Sequence, residues 1–95
     1  MTSQPRTYAL APARARSGED PLLAFLNAAR GSDVHLSVRE VTRLDAQRLQ
    51  TLLVAERQWL ADGRGFVLSD MADAFRAGLE RLGLAPDHFD KDAPR

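Results

Sequence analysis

The chain has 95 residues, thirteen basic and thirteen acidic side chains for a formal net charge of zero, and no cysteine. That length supports one domain at most and buries roughly 60–65 % of the surface of the unfolded chain, enough for a modest core. The charge balance gives no field to draw nucleic acid or an anionic membrane, and the absence of cysteine excludes disulfides, thiolate metal sites and thiol nucleophiles.

The start, MTSQPRTYAL, holds no apolar run long enough for a signal peptide, and no stretch approaches the ~18 apolar residues of a membrane helix. A cytoplasmic location without direct membrane insertion is expected. MTSQPR reads as a loose tail. Tyr8 and Leu10 alternate with Thr7 and Ala9, a short edge strand cut off by Pro12. Arg14 and Arg16 make a small basic spot whose simplest reading is a solvated turn.

EDPLLAFLNAARG has the marks of a helix. Asp20 suits the cap, Pro21 the first helical position and Gly31 the stop, with Leu22, Leu23, Leu26 and Ala29 on one stripe and Phe25 beside them. In DVHLSV, Val34, Leu36 and Val38 alternate with His35 and Ser37, which predicts a strand. Val41 and Leu44 continue the apolar signal.

From Asp45, a suitable cap, the period becomes helical. Leu49, Leu52, Leu53, Trp59 and Leu60 are expected inside, and Arg48, Glu56, Arg57 and Asp62 outside. Gly63 suits the stop. Phe66, Val67 and Leu68 form a short buried strand. Ser69 or Asp70 is expected to cap a last helix with Met71, Phe75, Gly78, Leu79 and Leu82 near one face, closed by Gly83. APDHFDKDAPR reads as a polar, frayed tail. Strand and helix alternate three times, the pattern of a mostly parallel α/β sheet joined by right-handed crossovers, with the helices mainly on one face.

Reactive groups are sparse. His35 faces away from the apolar side of its strand, where a solvated or hydrogen-bonded histidine is ordinary. Asp87, His88, Asp90 and Asp92 lack the fixed spacing of a metal site. DGRG leads from helix into strand, the reverse of a phosphate-cradling loop, and no Ser-His-Asp set assembles. The expectation is a protein with no catalytic residues, no metal and no cofactor. Trp59 is either a core or core-edge residue with its indole nitrogen towards water or an interface anchor.

The run VHLSVREVTRLDAQRLQTLLVAERQWLADGRGFVLSDMADAFRAGLERLGL, with the element order above, resembles the STAS domain family, which includes bacterial anti-sigma factor antagonists and small proteins of chemotaxis or lipid-transport systems. The likeness covers roughly Tyr8 to Leu84. It implies a small mixed or mostly parallel sheet with helices packed on one side, bounded by a flexible tail at 1–6, a domain at 7–84 and a polar tail at 85–95. In members that act as switches, the aspartate of the Leu-Asp junction is followed by a phosphorylatable hydroxyl, a small residue and glycine. Here Asp45 matches, but Ala46 and Gln47 carry no hydroxyl and Arg48 stands in place of the glycine. Thr42 and Ser37 lie off the motif positions.

The resemblance therefore implies an interaction module without the usual phosphoacceptor, binding a protein partner at Asp45, Ala46, Gln47 and Arg48, with Arg48 offering a fixed positive charge. The implied partner is a kinase-like anti-sigma factor or a chemotaxis protein, or, in the alternative, the ATPase of an ABC-type lipid transporter.

Overall fold

The computed structural model describes residues 4–13 and 18–92. Arg14 and Arg16, the small basic spot, lie outside the described residues, as do 1–3 of the leading segment and 93–95 of the trailing one. The elements are β1 (Arg6–Ala9), α1 (Pro21–Ala28), β2 (Val34–Ser37), α2 (Ala46–Ala61), β3 (Phe66–Ser69) and α3 (Asp73–Arg81), followed by a 3-10 turn at His88–Asp92. Arg6 already pairs with Val34, so the sheet begins one residue inside the segment read as a tail.

The strands form one sheet in the order β1-β2-β3, all parallel. When right-handed crossovers step along a sheet in one direction, every connecting helix falls on the same face. The burial pattern agrees: Val34, Leu36, Phe66 and Leu68 are buried in one core with Leu22, Leu26, Leu52, Trp59, Phe75 and Leu79 of the helices. In register behind them, Thr7, His35 and Val67, then Ala9, Ser37 and Ser69, line the other face and are exposed or half-buried. Val67, read as buried, is therefore on the open side.

Local signals set most boundaries. The Asp20 carboxylate accepts from the Leu22 N–H at 3.0 Å, with Pro21 in the first turn. At the end of α2, Gly63 takes a φ of +69°, so the Arg64 N–H reaches the Trp59 carbonyl at 2.9 Å and the Gly63 N–H the Leu60 carbonyl at 3.1 Å. That pair closes the orphan carbonyls of the helix. α3 differs from expectation. Ala72 precedes it with no side-chain cap, and neither Ser69 nor Asp70 caps it. Gly78 lets α3 pack tightly on the loop before α2, because a Cβ there would stand 3.0 Å from the Leu44 Cβ.

Four burial assignments also change. Leu23, expected in the α1 stripe, is 48 % exposed, and Leu60, expected inside α2, is 76 % exposed. The stripe of α2 runs through Arg48, Leu52, Ala55 and Trp59, while its flank goes from buried Leu49 through half-buried Leu53 to open Leu60. Sixteen helical residues span ~24 Å and four strand residues ~13 Å, so the last turn of α2 overhangs the sheet. Arg48, expected outside, is buried.

The fourth change concerns the chain after Leu84. The segment 86–90 folds back on the domain: Phe89 is 1 % exposed and lies 6.4 Å from the Phe75 ring, centroid to centroid. His88 Nε2 meets Glu56 Oε1 at 2.9 Å, and Arg76 grips Asp90 through both guanidinium nitrogens at 3.2 and 3.3 Å. Arg76 also donates to the Pro86 carbonyl at 2.7 Å. These residues cover one side of β3, α2 and α3 instead of fraying as a polar tail.

Removing a buried aromatic ring costs about 3–5 kcal/mol in lost burial and residual cavity. Phe89→Ala is therefore expected to lower the urea midpoint by that equivalent. A loss below about 1 kcal/mol would place the segment outside the core.

Candidate functional site

The expected partner-binding residues lie where β2 hands over to α2. Beyond Ser37 the chain keeps one more sheet bond, from the Val38 N–H to the Ser69 carbonyl at 3.0 Å, then turns. Val38, Val41 and Leu44 are buried, so the loop is nailed to the core at three points. Its exposed residues between those points are tied sideways, since the Thr42 and Arg43 N–H groups both donate to the Pro12 carbonyl, at 3.1 and 3.3 Å. On the other side, Arg81 Nη2 donates to the Leu44 carbonyl at 3.2 Å.

Asp45 caps α2 from extended backbone, its Oδ1 accepting from the Arg48 N–H at 2.7 Å. An aspartate here satisfies an orphan donor and places negative charge at the positive end of the helix dipole. Ala46 and Gln47 follow in the first turn, and both are exposed. Arg48 is the correction at this site. Only 4 % exposed, it sends Nη1 to the Ala11 carbonyl at 2.8 Å, tying the start of α2 to the chain just after β1. An amphipathic reading puts arginine in water. Here the aliphatic stem packs in the core and the guanidinium satisfies a main-chain acceptor.

The structure thus brings the four residues together at one edge but divides their work. Asp45 and Arg48 hold the backbone, and Ala46 and Gln47 are presented outward. The fixed surface charge expected of Arg48 is not there, so it positions the edge and does not form its outer surface.

The open sheet face is a shallow hollow lined by Thr7, Tyr8, Ala9, His35, Ser37 and Ser69, mostly polar residues. At its rim Asp70 stands at φ +62°, the left-handed region that favours glycine. Ser37 Oγ donates to its Oδ2 at 2.9 Å and Arg39 Nη2 lies 3.5 Å from Oδ1. The Ser37 hydroxyl first, and the neighbouring Arg39 charge after it, hold the Asp70 carboxyl below the ordinary aspartate value of 3.8. Ser37 is therefore engaged with a carboxylate. His35 and Ser37 line the same face, but the Ser37 hydroxyl is bonded to Asp70, and the strands advance in one direction along the sheet.

Trp59 is a core residue, as the simpler expectation allowed, and only the direction of its indole nitrogen differs. It is buried, and its indole N–H donates to the Ser32 carbonyl at 2.7 Å, not to water. Among the described residues, no three His, Asp or Glu side chains gather in a way that could hold a metal. His88 and Asp90 are engaged with Glu56 and Arg76.

A depressed carboxylate contributes stability above its unfolded pKa and loses it as pH falls through the lowered folded value. Asp70 should accordingly titrate below 3.8 by carboxyl carbon NMR, and Ser37→Ala should move its midpoint upward. An unmoved midpoint would contradict the assigned cause. For Arg48, replacement by Met keeps the stem but leaves the Ala11 carbonyl without its partner. The expected loss is about 1–3 kcal/mol in chemical denaturation, and no loss would show the bond to be dispensable.

Compared with known proteins, residues 9–86 match the family model described as Mlab, STAS domain. No curated protein matches the chain, and no solved structure does.

Proposed function

The chain belongs to the STAS domain family over residues 9–86, and from that membership we propose that it is an interaction module for bacterial signalling, docking a protein partner through the edge Asp45–Arg48. STAS domains generally bind protein partners, in anti-sigma antagonism or transporter-associated roles, and are generally not enzymes. The single observation that carries the reading is the held helix start. Ala46 and Gln47 are exposed at its first turn, while the Asp45 cap and the buried Arg48 fix the backbone beneath them.

Such an edge is suited to constant engagement. Neither exposed residue has a hydroxyl, so no phosphate can be added there to reverse the charge of the surface. A partner meets one unchanging shape, and any regulation lies in its own conformation or abundance. The partner is a kinase-like anti-sigma factor or a chemotaxis protein.

A second reading is an accessory subunit docking on the ATPase of an ABC-type lipid transporter. The Mlab description of the matching family model favours it, since transporter-associated roles are one of the two general to the family. The missing hydroxyls suit it equally well, because a permanent subunit needs no kinase cycle.

Arg48 cannot probe this edge, because altering it disturbs the fold. Ala46→Glu and Gln47→Glu place charge on the outer surface and leave the core intact. Binding should be measured to purified candidates of each class, an anti-sigma kinase, a chemotaxis protein and a transporter ATPase, all from the same cell. The true partner should bind each variant at least about tenfold more weakly, as for a central interface position. Undiminished binding sinks the edge, and the class that binds separates the two readings. Incubation with the kinase and ATP should leave residues 45–48 unmodified. Phosphate on Thr42 or Ser37 would overturn the constant-engagement account.

A further inference from the structure

The surface of α1 is unusual for a helix lying against water. From Pro21 to Ala29 it carries no charged residue, yet Pro21, Leu23, Ala24, Asn27 and Ala28 are exposed. Beside it runs a groove of about 410 Å³ between α1 and α2. Leu26, Ala55 and Trp59 form its floor, and Leu23 and Val54, 48 % and 59 % exposed, stand along its walls. The rim is made of neutral polar groups, Asn27, Gln47, Gln50, Thr51 and Gln58. An apolar centre depleted of charge inside a polar rim, here with the single charge of Arg30 at its edge, is the make-up of a protein interface core.

We propose that this groove seats an amphipathic helix of the protein partner, with apolar residues spaced i, i+4, i+7 on Leu23, Val54 and the Trp59 floor and a carboxylate on Arg30. The inference rests on the interaction-module reading and extends its surface, since Gln47 belongs both to the docking edge and to the groove.

Three features select that occupant. The groove lies between two crossover helices of one parallel sheet and is walled by side chains, so it offers an apolar channel and no row of free backbone donors. Such a channel reads a helix face, whereas an extended peptide needs a strand edge. Its charge is one-sided, too. Among the described residues, Arg30 is the one charged side chain lining it, with its guanidinium 5.9 Å over the Trp59 ring and 3.3 Å from Asp62. About half exposed, and with five donors to share, Arg30 can take a second carboxylate without releasing Asp62. Lastly, α1 has no lysine or arginine to hold an anionic lipid surface. A second copy of this chain would bring no carboxylate from its own groove to meet Arg30.

The test is site-specific photo-crosslinking of the full chain in its own cell. A benzophenone amino acid is placed by Val54→p-benzoylphenylalanine, with Leu60→p-benzoylphenylalanine as the control outside the groove, and adducts are mapped by mass spectrometry. The expected product at position 54 is a partner segment with helical i, i+4, i+7 apolar spacing and an Asp or Glu. A synthetic peptide of that segment should then bind Leu23→Glu at least about tenfold more weakly, and Arg30→Glu several-fold more weakly, than the unaltered chain. Equal melting temperatures would establish that the fold is kept. An adduct to a second copy, a lipid, a small molecule or an extended or basic segment overturns the proposal, as does no adduct at all. The two surfaces fail separately. If Leu23→Glu and Arg30→Glu leave partner binding intact while Ala46→Glu weakens it, the groove alone is wrong. If Leu23→Glu and Arg30→Glu weaken it while Ala46→Glu does not, the docking edge is wrong.

Discussion

Everything in this molecule follows from covering one face of a sheet whose strands run the same way. Three parallel strands stepping in one direction receive their crossover helices on a single side. The core is therefore one layer thick, between that sheet face and the helices, and the opposite face is left to small residues such as Thr7, Ala9, Ser37 and Ser69. Strands of four residues offer little area, and the longer α2 reaches past them. Cover must then be found elsewhere. Phe89 supplies some of it from beyond the end of the family match at residue 86. The stem of Arg48 supplies more at the other end of α2.

The same constraint fastens the proposed docking edge. A helix start at the end of a strand would ordinarily be a mobile corner. Here the Ala11 and Pro12 carbonyls receive Arg48, Thr42 and Arg43 on one side, and Arg81 holds the Leu44 carbonyl on the other. A loop tied at so many points has little entropy left to lose, so in the proposed complex more of the contact energy of Ala46 and Gln47 would appear as affinity. Family members that switch add and remove charge at this place. In this chain the same place is kept neutral outside and is fastened from within by a cation.

The α1–α2 groove is the other side of one-layer cover. Helices that pack on a narrow sheet meet it with their inner stripes, and the valley between them has nothing above it. Leu23 and Val54 stand there because, among the described residues, no further layer reaches them. Charge has been kept off α1 throughout, which a surface helix with no partner would have no physical need of.

Period and punctuation in the sequence determined the elements themselves: the alternation Val34–Leu36–Val38, the Asp20 and Asp45 caps, the glycine stops, and from their order the sheet and the side its helices take. The proposed docking edge was placed by the resemblance alone, at an Asp45 followed by residues that cannot carry phosphate. What only the tertiary structure decided is which flank of each helix is covered. Leu60 and Leu23 look interior by composition but lie where cover runs out. Arg48 and Phe89 look like surface and tail, yet a carbonyl after β1 and a gap beside Phe75 take them in. Helical periodicity states that a face exists, whereas the neighbour that meets it is fixed by segments dozens of residues away, and no local pattern encodes that distance.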